Sequence, residues 1–177
     1  MRAISWASCE DALSKFGFTV EHFPNSSTVR VLPPSPYYLV SVPCNRTNSF
    51  SMQCLHGRDS FYCIGREGKL QVPRAPTGLV QAKQGRKPIW KNGPLFLSLI
   101  ELLEVINGTQ PYRCSTLDDF YVIPASGTLM LYVSHHDEVL LYAGWAQGDS
   151  NCIKKLFLGG KKGGEKGGGR GDEAGGH

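Results

Sequence analysis

Short apolar runs with a period of two, separated by proline and other turn residues, dominate the first quarter of the chain. Residues 18–23, 28–32 and 37–42 are rich in β-branched and aromatic side chains, which favour strands. Three prolines lie within residues 33–36. Because proline cannot donate to a sheet ladder, we expect this segment to be a sheet edge or a linker. The pattern predicts a chain built mainly of antiparallel strands.

Two further segments have the pattern of β-hairpins. Residues 61–64 and 69–72 flank a short glycine-bounded turn, which predicts that these two strands pair with each other. Residues 128–133 and 138–143 predict a second hairpin, and its first strand is apolar on both faces, so we expect both faces to be covered. The recurring unit of a turn glycine and alternating apolar residues is typical of a sandwich or a partial propeller-like arrangement.

Helical patterns are fewer than strand patterns. A short helix is predicted to begin after Ser8 and to end at Gly17. One longer amphipathic helix is predicted near residues 94–106, with Pro94 at its first position, Gly108 just past its end and a polar stripe at every third residue. The predicted fold class is therefore α+β, predominantly β.

The last nineteen residues differ in composition from the rest of the chain. Residues 159–177 contain ten of the 21 glycines and no apolar side chain larger than alanine. Such a segment cannot offset the entropy of ordering its backbone. We therefore expect a β-rich, disulfide-containing region over residues 1–158, itself an incomplete unit, followed by a disordered tail.

The six cysteines are widely spaced and lack the Cys-x2-4-Cys pairs of a zinc site. An even number of scattered cysteines fits up to three disulfides in an oxidising compartment. Buried free thiols are the alternative interpretation. The disulfide candidates are Cys9, Cys44, Cys54, Cys63, Cys114 and Cys152.

Three of the six asparagines begin an Asn-x-Ser/Thr acceptor sequence for glycosylation: Asn25, Asn45 and Asn107. About one such match is expected by chance at average composition. The chain has no secretory signal at its start and no apolar run long enough to span a membrane. The sequons and cysteines together nevertheless favour an extracellular or secretory-pathway location, with the chain as a fragment or alternative form of a larger protein.

Positive charge is concentrated in residues 66–91, which contain seven Lys or Arg and one acid in a chain of net charge +4. Such a cluster can attract an acidic partner. Prolines and glycines interrupt the stretch, however, so we favour a solvated loop. No nucleic-acid-binding motif accompanies the charge, and we expect no nucleic-acid partner.

Candidate catalytic groups are few. His135-His136-Asp137 are adjacent residues that would point to alternate faces of a strand, so a polar hairpin turn is the favoured interpretation. Asp118-Asp119 is interpreted as a solvated turn. His22 or His56 could activate a cysteine, but no cysteine carries a nucleophile motif. We expect no catalytic activity, cofactor or metal.

These observations predict a non-catalytic extracellular glycoprotein domain that mediates protein–protein interaction. Such a domain would fit the ectodomain of a larger membrane receptor or channel-associated subunit, with partners that the sequence does not identify. The alternative is a cytosolic β-rich scaffold with reduced cysteines. A third hypothesis is an enzyme that uses His135, His136 and Asp137.

Overall fold

The computed structural model describes residues 1–35, 37–43, 55, 57–72, 89–108, 119–133 and 138–143. Within these residues the helices are α1 (Trp6–Ser14) and α2 (Leu99–Gly108). The strands are β1 (Arg2–Ala3), β2 (Thr19–His22), β3 (Val29–Leu32), β4 (Tyr38–Pro43), β5 (Ser60–Gly65), β6 (Lys69–Val72), β7 (Ile89–Asn92), β8 (Leu95–Ser98), β9 (Phe120–Pro124), β10 (Leu129–Val133) and β11 (Glu138–Ala143).

The strands form one large sheet and two ribbons. The large sheet has seven strands in the order β1-β8-β5-β9-β10-β11-β4, and the ribbons are β2–β3 and β6–β7. Every pairing is antiparallel. The predicted class, α+β and predominantly β, is confirmed, whereas the sandwich or propeller-like arrangement stays a prediction.

The central strands of the large sheet are buried on both faces. On one face Phe61 and Leu129 belong to a core cluster that includes residues of α2 and β6. On the other face Ile64 and Met130 belong to a second cluster that includes residues of α1 and β3. Because side chains alternate along a strand, one sheet separates two hydrophobic cores. The expectation that both faces of the strand within residues 128–133 are covered is confirmed.

Helix α1 begins earlier than the sequence pattern indicated. Ser5, in an extended conformation, is the N-cap, and its Oγ accepts a hydrogen bond from the Ser8 N–H at 3.1 Å. Ser8 therefore lies inside the first turn and is not the cap. The helix ends at Ser14, and Gly17 follows in a turn with φ of 84°.

The prediction of a helix from residue 94 is wrong over its first turn. Residues 95–98 are strand β8, which pairs on one edge with β1 and on the other with β5. Helix α2 begins at Leu99, where a capping box satisfies two backbone donors. The Glu101 N–H donates to Ser98 Oγ at 3.3 Å, and the Ser98 N–H donates to Glu101 Oε2 at 2.9 Å. The helix continues through Gly108, two residues beyond the predicted end at residue 106.

The predicted pairing of β5 with β6 is also wrong, although both strands exist. The chain turns at residues 65–68, where the Gly68 N–H donates to the Gly65 carbonyl at 3.0 Å. Both edges of β5 are already occupied, by β8 and β9. Strand β6 consequently lies outside the large sheet and pairs with β7.

The later hairpin is confirmed, with β10 and β11 paired from Leu129↔Ala143 to Val133↔Val139. The connecting residues 134–137 lie outside the described part of the chain. Residues 33–35 follow β3 in one ribbon and precede β4 in the large sheet, which confirms the linker expected there. The tail, residues 159–177, is also outside the described residues.

Candidate functional site

Three tight turns meet at one end of the described structure, and we call them the turn cluster: residues 23–28, 65–68 and 92–94. The Val29 N–H, at the start of β3, donates to the Arg66 carbonyl at 2.6 Å, and the Gly93 N–H donates to the Gly68 carbonyl at 2.8 Å. The first bond joins the β2–β3 ribbon to the turn between β5 and β6, and the second continues the β6–β7 ribbon.

The first turn holds one of the three glycosylation candidates in an exposed position. The Ser26 N–H donates to the Phe23 carbonyl at 3.3 Å, which closes a turn with Pro24 and Asn25 at its centre. Asn25 has a φ of 66°, as the third position of a type II turn requires, and asparagine tolerates this conformation. The Asn25 side chain is exposed to solvent.

The other two sequons are less defined in space. Asn107 lies in the last turn of α2, but its side chain is outside the described part. Asn45 lies outside the described residues. Asn25 is therefore the glycosylation candidate whose surroundings the structure defines.

Strand β7 presents an exposed aromatic and cationic surface. All four of its residues are exposed, including Trp90, which retains 44% of its accessible surface. The Lys69 Nζ lies 4.7 Å from the centroid of the Trp90 ring, a cation–π contact, and 3.3 Å from Glu67 Oε2. The sequence pattern did not predict this strand, because the positive charge, prolines and glycines around it favoured a solvated loop. The period-two segment before Gly93-Pro94 was the available signal.

The prediction of a solvated loop over residues 66–91 is wrong for residues 66–72 and 89–91, which form a turn and strands. Arg66 and Lys69 each have an acidic partner, whereas Lys91 on β7 is exposed and forms no ion pair with any described residue. Residues 73–88 lie outside the described part of the chain. The cations that the structure places are thus carried by ordered turns and strands.

Asp119 is buried, contrary to the prediction of a solvated turn. Its side chain is 6% exposed, and Arg66 Nη1 donates to its Oδ2 at 2.9 Å. The Tyr132 hydroxyl donates to the same oxygen at 2.6 Å. The carboxylate can be buried because these two donors replace the hydrogen bonds that it would otherwise make to water. Asp118 lies outside the described residues.

The environment keeps Tyr132 protonated. Burial raises the pKa of Tyr132, and its hydrogen bond to Asp119 raises it further. The hydrogen bond to Asp119 also raises the pKa of Arg66. Both groups therefore act as donors to one carboxylate. This network connects the turn after β5 to the start of β9 and to β10, so it holds three segments of the fold together.

Two of the six disulfide candidates are buried free thiols. Cys9 belongs to one core cluster and Cys63 to the other, so the two lie on opposite faces of the large sheet. Burial raises the pKa of Cys9 to about 12 and raises that of Cys63 as well. Since the thiolate is the reactive form, neither thiol is activated. The candidates outside the described residues are Cys44, Cys54, Cys114 and Cys152.

His22 contacts an acidic residue of α1. Its Nε2 lies 2.6 Å from Glu10 Oε1, and its ring meets Trp6 edge to face at 4.8 Å. This pair connects β2 to α1. The other candidate catalytic residues, His56, His135, His136 and Asp137, lie outside the described part. Among the residues that the structure does describe, no three His, Cys, Asp or Glu side chains are grouped so as to hold a metal ion.

No helix in the described ranges is long and apolar enough to cross a membrane. Comparison with protein-family models, curated proteins and solved structures gives no match for this chain.

We expect the fold to lose stability at alkaline pH. The folded pKa values of Cys9, Cys63 and Tyr132 are raised, so each group stabilises the fold fully below its unfolded pKa. Those unfolded values are about 8.5 for Cys and about 10 for Tyr. The free energy of unfolding should fall from about pH 9 upward, by up to about 1.4 kcal/mol per pH unit for each titrating group.

Denaturant unfolding at a series of pH values measures this dependence, and Tyr132→Phe isolates one group. At pH 8 the variant should be less stable because it loses the bond to Asp119. Above about pH 10 the difference from wild type should shrink, since the wild-type phenol then loses its advantage. A difference that stays constant to pH 11 would contradict the assignment.

Proposed function

We propose that this chain is a non-catalytic extracellular glycoprotein domain that mediates protein–protein interaction. The position of Asn25 is the observation that supports the proposal most directly. Its side chain is exposed at the tip of the β2–β3 ribbon, in a turn that asparagine itself favours. A bulky, hydrophilic glycan can extend from such a tip into solvent without disturbing the core.

The exposed surface of β7 supports the interaction part of the proposal. Ile89 and Trp90 are large apolar side chains that retain 38% and 44% of their accessible surface. Tryptophan is enriched among the residues that dominate binding energy at protein interfaces. We propose further that the domain belongs to the ectodomain of a larger membrane receptor or channel-associated subunit.

A cytosolic β-rich scaffold with reduced cysteines is the second candidate. The buried free thiols of Cys9 and Cys63 favour it. Six cysteines less these two leave four, which an oxidising compartment would join in two disulfides. The two candidates therefore predict different numbers of free thiols.

The test is intact mass spectrometry of the chain produced in secretory cells with a supplied signal sequence. We expect a glycosidase-sensitive mass increment, part of which is lost in Ser27→Ala. Ser26→Ala is the matched control, because Ser26 occupies the variable position of the sequon and Ser27 the hydroxyl position. The control should therefore keep the Asn25 glycan.

The same protein, denatured without reductant and alkylated, should gain two alkyl groups, at Cys9 and Cys63. Reduction before alkylation should raise the count to six, the total number of cysteines. Six alkyl groups without reductant, together with no glycosidase-sensitive mass, would overturn the ectodomain proposal and favour the scaffold.

A further inference from the structure

We propose that the outer edge of β7 accepts an acidic, extended segment of a partner protein as an added strand. This inference rests on the interaction part of the proposed function and names the surface and the chemistry of the partner. It depends on the backbone of the β6–β7 ribbon, the side chains on its exposed face and the charge around it.

The backbone register determines which groups of β7 point outward. Gly93 and Gly68 are opposite each other and joined by the bond from the Gly93 N–H. Hydrogen-bonded pairs alternate in an antiparallel ladder, so Leu70↔Lys91 is the next such pair. The N–H and C=O groups of Trp90 and Asn92 therefore point away from β6. In the described part of the chain, no strand pairs with this edge.

The side chains of the ribbon divide by face. Leu70 and Val72 lie in the core, whereas Lys69, Gln71 and Trp90 share the opposite face by register. Trp90 offers an exposed ring. Gln71 is buried, with 7% of its surface exposed, so the side chains that this face presents to solvent are Trp90 and Lys69. This face thus combines an exposed aromatic ring with a partly exposed cation.

The charge around β7 specifies an acidic partner. Lys91 is exposed on the strand, and Lys69, on the other face of the ribbon, is held by Glu67 in a salt bridge whose side chains are 41% and 59% exposed. Such exposed pairs contribute little, so a partner carboxylate can replace Glu67. Opposite charge on the partner would speed association and fix its register.

A polypeptide strand fits this edge better than the alternatives. Outward N–H and C=O groups recur at every second residue, which is the spacing that an added strand satisfies. An acidic glycan would satisfy the charge but not the alternating donors and acceptors. A second copy of β7 would bring the same cations opposite each other, which is destabilising.

The experiment measures peptide binding to the full chain by fluorescence anisotropy. The probes are a labelled peptide of alternating Glu and Val, the same peptide with Gln in place of Glu, and a labelled heparin oligosaccharide. We expect wild type to bind the Glu peptide in preference to both other probes, with an affinity that falls as salt is added. Binding of heparin alone, or no preference for Glu over Gln, would overturn the proposal.

Two substitutions of Asn92 test strand addition itself. Asn92→Pro removes an outward N–H without touching the ladder to β6, and should weaken peptide binding by about threefold to tenfold. Asn92→Thr retains the N–H and should bind as wild type does. Circular dichroism verifies that each variant is folded. Equal binding by Asn92→Pro and Asn92→Thr would overturn the strand-addition geometry.

The contribution of the ring is tested by Trp90→Ala, which should weaken binding by about tenfold. Ile100→Ala is the matched control, since Ile100 is 73% exposed on α2 and lies outside the ribbon. Self-association that Asn92→Pro abolishes would show a second copy on the edge and overturn the assignment of a partner. None of these outcomes alters the glycan and thiol counts, so failure here is distinguishable from failure of the proposed function.

Discussion

Replacing Phe61 by alanine should lower the free energy of unfolding by about 3–5 kcal/mol, the usual cost of removing a fully buried phenylalanine. Phe61 has no exposed surface and lies in β5, opposite Leu97 of β8 and Pro124 of β9. Because both neighbouring strands are fixed by their own pairing, we expect little collapse around the cavity. The loss should therefore be in the upper part of the range.

The matched control for Phe61→Ala is Phe23→Ala, which removes the same atoms from a side chain that is 42% exposed. That change should lower the free energy of unfolding by less than about 1 kcal/mol, because substitutions of exposed side chains have small effects on stability. Chemical denaturation of both variants measures the difference. Similar losses in the two variants would contradict the position assigned to β5 in the centre of the sheet.

Replacing Asp119 by alanine should lower the free energy of unfolding by about 2–3 kcal/mol. The buried carboxylate accepts hydrogen bonds from Arg66 and from Tyr132, and removing it leaves the Tyr132 hydroxyl without that acceptor. Breaking a fully buried ion pair costs about 3–5 kcal/mol. The Arg66 side chain is 51% exposed and can be rehydrated, so the expected loss is smaller.

Asp59→Ala is the control for charge removal, because Asp59 is exposed. We expect it to change the free energy of unfolding by less than about 0.5 kcal/mol. Asp119→Asn, which keeps the size but loses the charge, should lie between the two variants. If Asp119→Ala and Asp59→Ala unfold at the same denaturant concentration, the buried network does not stabilise the fold.

The sequence predicted strands better than it predicted their partners. Alternating apolar residues identified β2, β3, β4 and the β10–β11 hairpin, because a strand's period of two is a local property. The turn at residues 65–68 correctly predicted a reversal but not that β8 and β9 occupy both edges of β5. Those partners come from distant parts of the sequence, so local turn chemistry could not exclude the wrong pairing.

The start of α2 shows how an apolar run can satisfy two periods. Leu95 and Leu97 fit a helical face, but they also alternate with half-buried Phe96 and exposed Ser98 as in a strand. The short spacing between Ser98 and Glu101 contained the signal for the true helix start. In the folded chain, β8 pairs with β1 on one edge and with β5 on the other, and these pairings fix residues 95–98 as a strand.

The candidate site was likewise predictable only in part from the sequence. The Asn25 turn was predictable because the proline, the asparagine and the hydroxyl are adjacent in sequence. The buried network was not, since Asp119 lies 53 residues from Arg66 and 13 from Tyr132. The sequence did not indicate that Trp90 is exposed on a strand, because the positive charge around it favoured a solvated loop.

The most direct test of the proposed extracellular function is the glycan mass on Asn25. Intact mass of the chain secreted from cells, before and after glycosidase, should differ between Ser26→Ala, which keeps the sequon, and Ser27→Ala, which destroys it. We expect Ser27→Ala to carry one glycan fewer than Ser26→Ala. Identical glycan masses in the two variants, or none in either, would contradict it.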